Sequence, residues 1–146
     1  MVVKVWTSGD CTAGYGKWVY HIEYDDLITQ EPLKISDKGT SSGTTGRQMK
    51  LMAILRALDR VKSLDLDDKH VTLWSDCRWC VKCLTKEYDC VSDNKFKEDK
   101  VTRGYVQYLQ EIWWKTEGLH VDYQVLEGKM APNRRNGLGE DEDQNQ

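Results

Sequence analysis

The chain is poor in the features that would make it a membrane, fibrous or multidomain protein. No apolar run approaches the roughly 20 residues that span a bilayer. The N-terminal stretch Met1-Val2-Val3-Lys4-Val5-Trp6 lacks a signal-peptide h-region and has the composition of a strand. There is no internal repeat and no proline-rich linker, and only two prolines occur in 146 residues. This length suits one domain with a single core. Hydrophobic content of 39% and charged content of 31% exclude a disordered chain. A strong charge of either sign is also missing. The formal net charge is −3, and the tail Glu140-Asp141-Glu142-Asp143 alone carries more negative charge than that, so the body is weakly positive. A nucleic-acid partner is neither excluded nor advertised by such a balance.

The five cysteines are Cys11, Cys77, Cys80, Cys83 and Cys90. An odd count without a signal peptide predicts free thiols and an intracellular setting, cytoplasmic or nuclear, in a reducing compartment. Cys77, Cys80 and Cys83, with Cys90 as a fourth, have a spacing that invites a metal reading. On a helix, however, steps of three align the thiols along one stripe, whereas zinc takes its cysteines from turns and knuckles. They are expected to be small core residues.

Hydrophobic periodicity predicts the order β-β-β-α-β-α-α-β. The first strand runs from Val2 to Ser8, and the glycine-rich Gly9–Gly16 reads as a hairpin turn. Lys17–Tyr24 alternates, with Trp18, Tyr20, Ile22 and Tyr24 on one face. Pro32–Asp37 is a third strand, and the polar Lys38–Gly46 reads as a loop. Arg47–Leu64 carries a helical apolar stripe at Met49, Met52, Leu55, Leu58 and Val61. His70–Ser75 is a buried strand, and a short helix follows from Cys77 to about Lys86. Lys100–Glu117 is another helix, ended by Gly118, and Leu119–Leu126 is the last strand. Three early strands suit an antiparallel meander, and strands separated by helices suit parallel additions. The expected fold class is α/β (an α+β mixed sheet), with five strands flanked by helices on both faces. Residues 1–130 form the domain, and 131–146 form a flexible acidic tail.

Four runs in this order resemble the ribonuclease H family, type 1. Val5-Trp6-Thr7-Ser8-Gly9-Asp10-Cys11-Thr12 is similar to its opening strand and turn, usually T-D-G-S. Thr44-Thr45-Gly46-Arg47-Gln48-Met49-Lys50-Leu51-Met52-Ala53 resembles its helix start T-x-x-x-M-E-L-M-A. Val71-Thr72-Leu73-Trp74-Ser75-Asp76-Cys77-Arg78-Trp79-Cys80-Val81 resembles the strand ending in T-D-S-x-x-V. Val125-Leu126-Glu127-Gly128-Lys129 resembles the final V-x-G-H. The resemblance implies a ribonuclease H-like fold over nearly the whole chain. In active members four carboxylates hold two divalent ions that activate water, and a histidine assists turnover.

Carried over position by position, the resemblance leaves Asp76 as the only matching carboxylate. Ser8 stands at the first aspartate, Lys50 at the glutamate, Lys129 at the histidine, and Gly137 near the last aspartate. Asp10 is a displaced candidate, two residues beyond Ser8 and about 6–7 Å further along the strand. That is too far for magnesium ligands held at about 2.0–2.1 Å. The resemblance therefore implies a degenerate domain with no cofactor. Mg²⁺ or Mn²⁺ would be needed only if a rearranged site using Asp10, Asp76 and tail acids were active. Lys50 and Asp76 are expected to form an ion pair, since an unpaired buried carboxylate is costly.

The same positions make the former active-site face positive. Thr45, Arg47, Lys50, Arg78, Lys129 and Arg134 are candidate contacts to a nucleic-acid backbone, either an RNA/DNA hybrid or duplex RNA. Trp79 or Trp114 is a candidate for stacking on bases or sugars. Lys95-Phe96-Lys97, Lys100 and Arg103 read as a solvated loop, diluted by Glu98 and Asp99. The resulting expectation is a nucleic-acid-binding or scaffolding domain of a viral or retroelement-type assembly, with no membrane partner. The alternatives are an active hybrid endoribonuclease and a domain that binds a protein partner.

Overall fold

A computed structural model describes residues 1–88 and 100–126, with side chains from residue 104 onward in the second of these segments. Their elements follow the expected order. They are β1 (Val2–Thr12), β2 (Tyr15–Asp25), β3 (Pro32–Ser42), α1 (Gly46–Ser63), β4 (His70–Ser75), α2 (Arg78–Leu84), α3 (Lys100–Lys115) and β5 (His120–Val125). The five strands form one mixed sheet in the order β3-β2-β1-β4-β5. β1–β2 and β2–β3 are antiparallel, while β1–β4 and β4–β5 are parallel. Among the described residues no helix is long and apolar enough to cross a membrane.

Two boundaries differ from the sequence expectation. Gly9–Gly16 is not an extended turn. β1 continues to Thr12, and the reversal is confined to Ala13 and Gly14, both at positive φ. Gly9 and Gly16 serve close packing instead. A Cβ on Gly9 would lie 2.5 Å from the Met49 carbonyl carbon, and one on Gly16 would lie 2.5 Å from the Met49 side chain. The start of α1 thus rests directly on the β1–β2 hairpin. β3 likewise runs on through the polar residues to Ser42, because it pairs with β2 along its whole length, from Asp25↔Pro32 to Tyr15↔Ser42. Ladder hydrogen bonds override the weak strand propensity of Lys38-Gly39-Thr40-Ser41-Ser42.

α1 begins with a capping box. The Thr45 hydroxyl accepts from the Gln48 backbone N–H, and the Gln48 side chain accepts from the Thr45 N–H. These bonds satisfy two of the donors that a helix start leaves open. Leu51, Ile54, Leu58 and Val61 of α1 then meet Val3 and Val5 of β1, Tyr20 and Ile22 of β2, and Val71 and Leu73 of β4. Cys77, Cys80 and Cys83 beside α1, and Tyr105, Leu109 and Ile112 of α3, complete the same core. Burying each large aliphatic side chain stabilises the fold by about 1.5–3 kcal/mol. On the other side of the sheet, alternate residues of β1 and β4 bring Trp6 and Trp74 into a stack, with ring centroids 5.3 Å apart.

The cysteines at and within α2 fall in the core as expected, with one correction to the thiol count. Cys77, Cys80 and Cys83 are fully buried. Cys11, Cys77 and Cys80 are free thiols, whereas Cys83 is disulfide-bonded, so the expectation of five free thiols does not hold. Cys90 lies outside the described residues.

Candidate functional site

The C-terminal ends of β1 and β4 lie side by side, with Thr7 level with Ser75. Ser8 therefore sits next to Asp76, the residue that follows β4. The Ser8 hydroxyl donates to Asp76 Oδ2 at 2.8 Å. Lys50 enters the same space from the first turns of α1. Because Gly9 has no side chain, the Met49–Lys50 backbone comes close enough for Lys50 Nζ to donate to the Gly9 carbonyl at 2.8 Å. The same ammonium pairs with Asp76 Oδ2 at 3.1 Å. Lys50 is fully buried and the Asp76 side chain is 4% exposed. The expected Lys50–Asp76 ion pair is formed, with Ser8 as a second donor to the same oxygen.

These residues do not fit a magnesium site. A hard divalent ion needs several converging oxygen ligands. Here an ammonium takes the inward lobe of the one carboxylate and is itself anchored by a backbone carbonyl. Among the described residues no group of three or more His, Cys, Asp or Glu side chains is arranged to hold a metal ion. Asp10 lies on β1 two residues beyond Ser8, opposite Lys17 of β2. Lys129, Arg134 and Gly137, like the acidic tail and Lys95-Phe96-Lys97, lie outside the described residues, as do the side chains of Lys100 and Arg103.

The candidate backbone contacts separate into two kinds. Lys50 is not available to phosphate, because it is fully buried and donates inward; this corrects its assignment as a nucleic-acid contact. Thr45 is also engaged within the fold. Its hydroxyl caps α1 and lies 2.9 Å from the Tyr105 hydroxyl of α3. Arg47 packs its guanidinium 4.3 Å from the centre of the Trp79 ring and 5.8 Å from that of Tyr105. The Trp79 and Tyr105 rings meet edge to face at 5.6 Å. Arg47, Trp79 and Tyr105 are thus a cation–π cluster linking α1, α2 and α3. Such a cluster contributes about 0.5–2 kcal/mol for its cation, and it occupies the ring of Trp79. Arg78, at the start of α2, is exposed. Trp114 is 71% exposed on α3.

Sequence reasoning missed the Ser8–Asp76 bond and the Arg47 cluster. The first was legible in part, since a serine carries a short polar side chain that can donate. The second had no local signal, because α3 lies more than fifty residues away in sequence.

A five-stranded mixed sheet in this order, with its polar site at the ends of two parallel neighbours and a long helix across them, is the ribonuclease H-like fold. Comparison with solved structures shows the same fold. LC9-RNase H1, described as a type 1 RNase H with the type 2 active-site motif, superposes with a TM-score of 0.72 at 17% identity, over 88% of this chain and 64% of that one. The chain thus spans just under two thirds of that protein. RNase H1 from the halophilic archaeon Halobacterium salinarum gives a TM-score of 0.65 at 14% identity, over 97% of this chain and 94% of that one. LC11-RNase H1, solved in complex with an RNA/DNA hybrid, gives a TM-score of 0.59 at 14% identity, over 92% and 88% of the two chains. No protein-family model and no curated protein matches the sequence.

Proposed function

We propose that this chain is a ribonuclease H-like domain that binds nucleic acid through its sugar–phosphate backbone and does not cleave it by a metal-dependent route. The observation that carries the proposal is the Lys50 ammonium 3.1 Å from Asp76 Oδ2. In active relatives of this fold the corresponding carboxylates bind cations. Here a covalently attached cation fills that role, and a second positive ion beside Lys50 would be repelled. The hybrid bound by LC11-RNase H1 supports nucleic acid as the ligand class. Arg78 is the described cation best placed to contact phosphate or 2′-hydroxyl groups, exposed at the start of α2 two residues after Asp76.

A labelled RNA/DNA hybrid incubated with the protein and Mg²⁺ or Mn²⁺ is expected to remain intact. Binding to the hybrid is expected to weaken steeply between about 50 and 200 mM salt and to weaken further in Arg78→Glu. Cleavage that Asp76→Asn abolishes would overturn the proposal in favour of an active, rearranged site. Affinity that is indifferent to salt and to Arg78→Glu would instead assign the surface to a protein partner.

A further inference from the structure

Two of the three histidines of the chain meet on the surface, far from the Lys50–Asp76 pair. The parallel register of β4 and β5 sets His70 directly opposite His120, each the first residue of its strand. Paired residues on neighbouring strands project from the same face. The two rings are 5.0 Å apart between centroids, with planes inclined at 55°, and both residues are exposed.

We propose that His70 and His120 form a two-imidazole site for a borderline divalent transition ion, Zn²⁺ or its neighbours Ni²⁺ and Cu²⁺. The spacing carries the argument. A zinc–nitrogen bond of about 2.0–2.1 Å, added to roughly 1.1 Å from ring centre to nitrogen, puts each ring centre about 3.2 Å from the ion. Two such rings at a tetrahedral angle stand about 5.2 Å apart, against the observed 5.0 Å. Imidazole nitrogen suits these ions and not Mg²⁺, which prefers oxygen. The site therefore has a different ion class from the one that the fold's usual centre uses.

The surroundings leave the pair accessible. The Lys69 ammonium next to His70 is turned to the end of α1, where it donates to the carbonyls of Val61 and Leu64. The Asp122 carboxylate, two residues along β5 on the same side, accepts from the Gln124 side-chain amide at both oxygens. It contributes negative potential without serving as a third ligand. With two protein ligands, the remaining coordination positions fall to water.

The test is calorimetric titration of the untagged protein with ZnCl₂ at neutral pH, with MgCl₂ as the contrasting ion. One Zn²⁺ per chain is expected, undisturbed by excess Mg²⁺. His70→Gln and His120→Gln should each weaken binding by about tenfold or more, as loss of one of two ligands requires. His21→Gln, which removes the remaining histidine on β2, should leave binding unchanged. Circular dichroism confirms that the exposed-site variants fold. Absence of zinc binding, or binding that survives His70→Gln and His120→Gln, would overturn the assignment.

Discussion

Replacing Lys50 with methionine isolates the buried ion pair. Methionine is unbranched, only one heavy atom shorter than lysine and a good helix former, so it removes the charge while opening little cavity. At 3.1 Å and an effective dielectric of about 20, the Lys50–Asp76 attraction is about 5 kcal/mol before desolvation is subtracted. The net value of such a pair is small, but removing one partner strands the other charge in the interior and costs about 3–5 kcal/mol. The Ser8 hydroxyl still donates to Asp76, which favours the lower end of that range, about 3 kcal/mol. Urea unfolding at pH 7 measures the loss. Burial disfavours the unpaired carboxylate relative to its protonated form, so the deficit of Lys50→Met should shrink as the pH is lowered toward 4. The double variant Lys50→Met with Asp76→Leu should be more stable than Lys50→Met alone, because no charge remains buried. Some cost persists, since the Ser8 hydroxyl and Gly9 carbonyl lose a partner at about 1–3 kcal/mol each where they stay dry. A Lys50→Met loss below about 1 kcal/mol with no acid rescue would show that the pair is solvated, and the reasoning about a filled metal position would fail with it.

Three further outcomes follow from the same geometry. Gly9→Ala sets a Cβ 2.5 Å from the Met49 backbone and should cost at least about 2 kcal/mol by overpacking; chemical denaturation showing no loss would refute the close approach of α1 to β1. His21, whose Nδ1 lies 2.6 Å from the Ser36 hydroxyl, has a pKa held below the usual histidine value by burial. The unfolded chain therefore takes up the proton first, and His21's contribution to stability, fully present above about pH 6.5, is lost as pH falls through its lowered folded pKa; thermal melts of the protein and of His21→Gln should diverge in their pH dependence over that range. Arg47→Gln removes the cation from the Trp79 and Tyr105 rings and should destabilise by about 0.5–2 kcal/mol with a change in tryptophan emission; unaltered stability and emission would place Arg47 in solvent, free for phosphate.

What could be read from the sequence, and what could not, divides at the point where elements meet. Trp18, Tyr20, Ile22 and Tyr24 declared one face of β2, and that is the face that reaches the core, because a period of two is a property of a single strand. The Lys50–Asp76 pair could be anticipated because the resemblance to ribonuclease H relates those positions; no local pattern would have buried a lysine near a helix start. Its burial depends on Gly9, which reads as a turn residue when taken alone and in fact permits a backbone approach that any side chain would block. Arg47 shows the converse. A cation at the start of a helix on a positive face has the same local signature whether it meets a phosphate or an aromatic ring, and α3 decides between them by supplying Tyr105. His70 and His120 are fifty residues apart and become neighbours only through the β4–β5 register, which the two strands set jointly through their shared ladder. Composition and periodicity therefore specify faces, while the Lys50–Asp76 pair and the His70–His120 contact come from register and from the closeness of approach that a single glycine allows.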